Sequence, residues 1–313
     1  MKATLVEDGA ELAASDDDFF RSPGFLAAER ATHTLLIGEH GEIPRAVLPL
    51  LVREIHGDGG GGRDAISPYG YSGGRLEGDP IDPAAVDFSA TGLISAFIRE
   101  AAGRPVFSTA TERGTLQIAD PNLESGVRPR LREQIRAAER AGYEIETIGG
   151  PAATAAQRAS FEGLYTETMH RTGASERYFF DAAYFEAALG SRTARLLLCH
   201  APGGEPAAGA IAAISDGMLH YFLGGTADAH LDASPMKSLF AAMIALAAEL
   251  ELPLSLGGGL NPGDGLERFK RGFANTTLPF QATELVLDAE AYEKLSPAGS
   301  PPSFFPAYRA PDG

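Results

Sequence analysis

The sequence predicts a mixed α/β (α+β) fold, laid down twice in tandem. Three observations carry that expectation. After Pro151 the chain alternates helical periodicity with short apolar runs, in the order helices, three strands, helix, strand, helix, strand. The first half repeats this order more weakly, as a duplicated unit would. With 313 residues, 44% hydrophobic and 22% charged, the chain suits one large or two ordinary folded domains.

In the first half, residues 16–32 read as a helix interrupted near Pro23-Gly24, and residues 33–38 and 43–55 as a hairpin. Residues 57–62 form a glycine-rich loop with no helix directly after it, which argues against a phosphate cradle. Residues 84–102 read as a helix. Residues 106–111 and 115–119 read as strands around the turn Glu112-Arg113-Gly114. The clearest helix covers 128–142. There Leu131, Ile135 and Ala138 make an apolar stripe, while Arg128, Arg132, Arg136 and Arg140 recur every four residues on another face. That face is either solvated surface or a grip on phosphate. Gly149-Gly150-Pro151 is the linker candidate. It places the domains at 1–148 and 149–295, with an irregular Pro-rich tail over 296–313.

In the second half, 153–171 and 181–189 read as helices. Residues 194–200, 207–215 and 218–224 read as successive strands with tight turns at Gly203-Gly204-Glu205 and Asp216-Gly217. A helix over 234–249, a strand over 252–256, a helix over 264–273 and a strand over 280–287 complete the unit.

Composition narrows the function. A net charge of -16 argues against broad binding along nucleic acid and leaves room for a local basic patch. The single cysteine, Cys199, sits in an apolar run and reads as a small buried hydrophobe; one cysteine makes neither an intrachain disulfide nor a thiolate metal cluster. The seven histidines show no metal spacing. No apolar run is long enough to span a bilayer, and the first residues lack a signal-peptide core, so a cytoplasmic protein is expected.

Several short motifs carry possible chemistry. Ser234-Pro235-Met236-Lys237 matches Ser-x-x-Lys, but its companion motifs are absent; Ser234 as a helix N-cap before Pro235 is the preferred reading. Gly224-Gly225-Thr226 with the following helix offers an anion site. Asn275-Thr276-Thr277 is a glycosylation sequon without a secretory route. In Ser67-Pro68-Tyr69-Gly70-Tyr71-Ser72-Gly73-Gly74, Tyr69 and Tyr71 either line a cleft or pack a turn. The most informative stretch is 257–273. An apolar strand enters three glycines, and a short helix then presents Phe269, Lys270 and Arg271, after Arg268. The chain has only four lysines. At this place it puts a compact ammonium beside an aromatic ring, where an arginine would be a wide fork.

Taken together, these motifs resemble the Fem-like transferases. Pro68-Tyr69-Gly70-Tyr71-Ser72-Gly73 and Leu131 to Tyr143 are similar to motifs of their first domain. His220-Tyr221-Phe222-Leu223-Gly224-Gly225-Thr226, Ala233-Ser234-Pro235, Leu256-Gly257-Gly258-Gly259 and Phe269-Lys270-Arg271-Gly272-Phe273 resemble their second domain, in order. The resemblance implies two tandem GNAT-like acyltransferase domains packed together. It also implies an aminoacyl-tRNA-dependent transferase that joins an amino acid, with alanine as the expected donor residue, to an amine. By the same match, Lys270 is catalytic and Tyr221 belongs to the acceptor site. Phe269 stacks on the terminal base of the tRNA. Arg177 resembles an arginine that holds the acceptor's phosphate. On that reading Arg268, Arg271, Arg132, Arg136 and Arg140 are expected to supply phosphate contacts to the tRNA, and Tyr69 and Tyr71 to line the acceptor cleft. The aminoacyl-tRNA acceptor end is then a co-substrate and no resident cofactor or metal is expected. The other partner is a small amine or peptide, and a monomer away from membranes is expected.

The chain departs from the family in two places. The lysine that cell-wall members use on their nucleotide-sugar substrate is missing near Ser22-Pro23-Gly24-Phe25, where Glu29 and Arg30 stand instead, and the helical hairpin arm is missing too. The compact form resembles members of antibiotic, peptidyl-nucleoside pathways. The alternatives are a cell-wall interpeptide-bridge transferase and an acyl-CoA-dependent N-acyltransferase. Against the last, the segment Asp228 to Ser234 lacks the Arg/Gln-x-x-Gly-x-Gly/Ala pyrophosphate loop and carries two aspartates.

Overall fold

A computed structural model describes residues 1–56, 61–259, 261, 263–296 and 304–310. Part of the glycine-rich loop, Leu260, Pro262 and most of the expected tail lie outside these residues. In chain order come β1 (Lys2–Val6), α1 (Ala10–Ala13), α2 (Pro23–Ala28), β2 (His33–Gly38), β3 (Ala46–Ile55), β4 (Gly62–Ile66), β5 (Arg75–Leu76) and β6 (Leu93–Arg99). Then follow β7 (Thr111–Ala119), α3 (Pro129–Arg140), β8 (Glu144–Gly149), α4 (Ala155–Thr172), α5 (Ala182–Gly190), β9 (Ala194–His200), β10 (Pro206–Ser215) and β11 (Met218–Thr226). Last are α6 (Met236–Glu249), β12 (Leu254–Gly257), α7 (Gly265–Arg271), β13 (Thr276–Val286) and α8 (Ala289–Leu295). Among the described residues no helix is long and apolar enough to cross a membrane.

The elements fall into two compact units, neither of which is one stretch of chain. The first takes Met1–Ser15, Glu29–Arg113 and Pro279–Gly313; the second takes Asp16–Ala28 and Gly114–Leu278. Gly149-Gly150-Pro151 lies within the second unit.

In the first unit the strand order is β1-β2-β3-β4-β6-β13, with β5 on β3. The β4–β6 pair is parallel, and the other described pairs are antiparallel. Leu35, Ile37, Leu48, Leu50, Ile98 and Phe107 lie in its core. Two buried acids are fully engaged. Asp64 of β4 accepts from Arg53 at 2.8 Å and Arg309 at 2.5 Å. Glu100 accepts from the Thr283 hydroxyl at 2.6 Å and the Val106 N–H at 2.8 Å, while burial pushes its carboxyl up.

The helix expected over 84–102 is not formed. Its place is taken by 3-10 turns at Pro83–Ala85 and Ser89–Thr91, and then β6. Asp82 and Asp87 bond the nearby backbone N–H groups of Ala84 and Ser89, and Gly92 at φ 64° ends any helical run. The apolar stretch after Gly92 is then buried on both faces between β4 and β13, where a central strand fits. The strand pair expected around Glu112-Arg113-Gly114 is one continuous strand, β7, which begins only at Thr111.

In the second unit the order is β7-β12-β11-β10-β9-β8. Only β11–β12 is parallel among the described pairs of this sheet. Helices cover both faces, so β10 is buried without a break over residues 207–213. Ala208, Ala210 and Ala212 share a core with Leu239, Phe240 and Met243 of α6. Gly209 faces α4 instead, where a methyl would stand 2.9 Å from the Phe161 ring.

Residues 16–32, expected as a helix interrupted near Pro23-Gly24, form a 3-10 turn at Phe19–Arg21 and then α2 from Pro23, which Arg30 follows at φ 58°. The break has a polar cause. Arg21, only 2% exposed, is held by Asp18 and by Asp216 of the β10–β11 turn at 2.6 Å. Asp18 also accepts from the Ser215 hydroxyl. These partners fix the backbone turn at the entrance to α2 more strongly than helix propensity does.

Candidate active site

The parallel strands β11 and β12 pair only at Leu219–Leu254 and His220–Ser255. Tyr221 is the next residue on β11, and β12 ends at Gly257 two residues past its last pair. Ends of parallel strands are where α/β sheets place ligands. The β10–β11 register slips between Ile211 and Ala212, so that Leu223 and Tyr221 are paired while Phe222 is the extra residue of a bulge. Phe222 packs against Phe19, Phe20 and Phe25 at 5.1–5.7 Å between ring centroids. Tyr221 turns the other way, with its ring 5.0 Å from Phe240 of α6.

The three glycines serve the chain's own backbone. Gly257 takes φ 77°, and a methyl on Gly258 would stand 2.9 Å from the Thr115 carbonyl of β7. The loop then folds on itself. Asp264 caps α7 by accepting from Glu267 N at 2.7 Å, and it also accepts from Asn261 N at 3.0 Å. Glu267 reaches back to Gly263 N at 2.7 Å. α7 is thereby fixed over the end of β12.

On α7 the side chains divide. Arg268 and Arg271 are exposed; Arg268 bonds the Gly263 carbonyl at 2.5 Å, and Arg271 lies 3.8 Å from Glu267. Phe269 is half-buried, 5.2 Å from Phe240 and 5.4 Å from the buried Phe273. Lys270 is 6% exposed. Its Nζ donates to the Gly258 carbonyl at 2.8 Å and stands 5.4 Å from the centroid of the Tyr221 ring. Burial lowers the amine to about 8, and the Asp264 carboxylate acts against that shift. His220, next to Tyr221, is buried and pushed down to about 4, so it is neutral at pH 7.

The structure brings Lys270, Tyr221 and Phe269 into one cluster around Phe240. It places the head of α3 beside the end of α7, since Arg128 N donates to the Gly272 carbonyl at 3.2 Å. Arg132, Arg136 and Arg140 are exposed on α3, and Arg140 pairs with Glu133 at 2.8 Å. Arg177 lies on a separate 3-10 turn, its guanidinium 4.8 Å over the Tyr178 ring and bonded to that hydroxyl at 3.0 Å. Tyr69 and Tyr71 belong to the other unit. There Tyr69 N donates to Glu29 at 2.9 Å, and the Tyr71 ring packs edge-on against Phe280 at 5.7 Å, its phenol pushed up by burial.

Ser234 is not the cap of α6. It sits at φ 51°, its hydroxyl donates to the Leu231 carbonyl at 3.2 Å, and Pro235 occupies the N-cap position. The left-handed backbone turns its side chain back onto the preceding turn. Cys199 is buried and its thiol is raised to about 11, an inert state at pH 7. Sequence reasoning did not identify Phe240, the Gly258 carbonyl or Asp264. Their roles depend on the crossing of β12 and α7, which no local pattern reports.

Residues 125–271 match the family model described as an acetyltransferase (GNAT) domain. No curated protein sequence matches the chain. Among solved structures the chain is similar to FemX, at 13% identity and TM-score 0.62, over 92% of this chain and 98% of that one. It is also similar to L-PGS from Bacillus licheniformis, at 13% identity and TM-score 0.53, over 84% of this chain and 86% of that one. A third likeness is to the C-terminal domain (DUF2156) of a putative lysylphosphatidylglycerol synthetase from Agrobacterium fabrum. It stands at 12% identity and TM-score 0.58, over 88% of each chain. At these identities the likeness is one of fold. The matched stretch lies within the second unit, and the mixed α/β class expected from the sequence is the one observed.

Proposed function

We propose that the chain is an aminoacyl-tRNA-dependent transferase that forms an amide bond on a small amine or peptide acceptor. The observation that supports it most is Lys270, a buried ammonium held by the Gly258 carbonyl over the Tyr221 ring, with Phe269 at its side.

An aminoacyl ester is already activated, so an amine attacks it directly. The nitrogen lone pair forms the C–N bond, the carbonyl oxygen takes the charge, and the ribose oxygen then leaves with a proton from the attacking nitrogen. Holding two substrates together supplies several kcal/mol of the barrier. An ammonium has three donors; among the described residues Lys270 spends one on Gly258 and keeps two for the oxyanion. Such a donor in a dry site contributes about 3 kcal/mol. Tyr221 lines the acceptor side, and Arg177, held flat on Tyr178, presents a fork to an acidic acceptor group. Phe269 offers a face to the terminal adenine, worth about 1–3 kcal/mol. Arg268 and Arg271, with Arg132, Arg136 and Arg140, supply phosphate contacts on an otherwise acidic protein. Tyr69 and Tyr71 are assigned to the acceptor as well.

The setting we assign is cytoplasmic assembly of a peptide antibiotic or related metabolite by a monomer, with alanine as the transferred residue. The test is incubation with a mixture of charged tRNAs and a library of amines, read by mass spectrometry. Product that persists after RNase treatment overturns the reading.

The description of the matched domain favours a second reading, an acyl-CoA-dependent N-acyltransferase. Tight binding of acetyl-CoA in a calorimetric titration supports that reading over the first.

A further inference from the structure

Asn275-Thr276-Thr277 has no part in the site described so far. Asn275 follows the turn that closes α7, and both ends of its side-chain amide are engaged. Nδ2 donates to the carbonyls of Asp120 at 2.8 Å and Glu124 at 3.1 Å, and Oδ1 accepts from Asp120 N at 2.8 Å. All three bonds go to the segment that joins β7 to α3. Two neighbouring contacts point the same way. Arg128 N, at the head of α3, donates to the Gly272 carbonyl at 3.2 Å. Gly126 packs so closely that a methyl there would land on the Ala274 carbonyl and 2.8 Å from Asn275 N. The segment 120–127 is largely exposed and has no regular structure, so residues 272–275 set where it runs. The same residues are one turn from Lys270, whose carbonyl accepts from Phe273 N at 3.0 Å.

We propose that Asn275 is a positioning residue. It holds the arginine face of α3 in register with Phe269 and Lys270, so that an RNA gripped by its phosphates on Arg128, Arg132 and Arg136 meets Lys270 with its acyl end. Phosphate contacts fix register and carry no sequence information, so an error in the position of α3 is an error in the position of the ester. The inference rests on the tRNA reading above. An alanine at 275 removes all three bonds; an aspartate keeps the acceptor for Asp120 N and sets a carboxylate against two carbonyls.

The experiment has two arms. In the free protein, amide hydrogen exchange over residues 120–132 speeds up in Asn275→Ala, while α6 keeps its protection. Unchanged exchange over 120–132 overturns the positioning role, whatever the substrate. In the second arm, bulk tRNA is titrated between about 50 and 200 mM salt. Asn275→Ala weakens binding about tenfold with a shallower salt slope. Arg132→Ala adds little on top of it, because both act through one contact surface. Equal affinity, or strict additivity with Arg132→Ala, overturns the proposal. A wild type that binds no tRNA overturns the tRNA reading instead, and the exchange arm then decides the role of Asn275 alone. Should Asn275→Ala fail to fold, Asn275→Asp is read in the same way.

Discussion

The ammonium of Lys270 and the ring of Tyr221 face each other at 5.4 Å, although 48 residues of chain and a parallel strand pair separate them, and burial lowers the amine to about 8. If the cation stabilises the oxyanion, turnover falls as pH rises through about 8, once the basic limb from the acceptor amine is corrected with acceptors of different pKa. A rate that rises through that pH assigns the neutral amine as a base instead. Lys270→Arg keeps the charge in the wrong shape and lowers kcat about a hundredfold.

The same burial makes Lys270 a cost to the fold. Its folded pKa lies below its unfolded value of 10.5, so the folded state binds its proton less tightly. Stability attributable to this group is lowest below pH 8 and rises as pH goes from 8 to 10.5, where only the unfolded chain still holds the proton. Lys270→Met is expected to be inactive yet more stable than wild type by up to about 3 kcal/mol at pH 7. Denaturation midpoints across pH 7 to about 10.5 check this: the advantage shrinks with rising pH.

Arg21 and Asp216 form the second test. Asp216→Ala leaves a buried guanidinium with Asp18 as its remaining acid and is expected to cost about 3 kcal/mol in urea unfolding. Burial raises the Asp18 carboxyl above its usual range, with Arg21 opposing the shift. A midpoint unchanged in Asp216→Ala removes the network from the account of why residues 16–28 turn where they do.

Gly225 lies against the backbone of α4. A methyl there would land on the Leu164 carbonyl and 2.6 Å from Tyr165 N, atoms that have no rotamer by which to yield. Gly225→Ala is expected to lower stability by about 2 kcal/mol or more, read as a fall in thermal midpoint.

Phe222 packs against three phenylalanines on the sheet face away from Tyr221. Phe222→Ala is expected to cost about 3 kcal/mol through the gap it leaves. If Tyr221 lines the acceptor site as proposed, the bulge that aims it makes the KM for the acceptor rise in Phe222→Ala, and Phe222→Leu recovers most of it.

How far the sequence could be read depended on the range of the forces involved. The strands β9, β10 and β11 announce themselves because each is a short apolar run closed by turn residues such as Gly203-Gly204 and Asp216-Gly217. α3 does so by its stripe of Leu131, Ile135 and Ala138. Residues 84–102 mislead because alanine and leucine favour a helix locally, while burial between two strands decides the outcome. At the site, the adjacency of Phe269 and Lys270 is written in the chain. The Gly258 carbonyl under Nζ, the Phe240 ring and the clasp of Asn275 are not, since each joins segments far apart in sequence. The Arg21–Asp216 pair spans 195 residues and leaves no local trace.

The interleaving of the two units bears on how the chain is made. A ribosome releases residues in order, and the second unit has all its parts once residue 278 has emerged. The first unit must wait for β13, although its strand β1 precedes it by some 270 residues. Until then, β6 has one flank without its partner and Asp64 lacks Arg309. A nascent fragment ending at residue 148 therefore holds pieces of both units and the whole of neither. Misfolding during synthesis should concentrate in that interval, where ribosome-bound chains of graded length can be probed by protease.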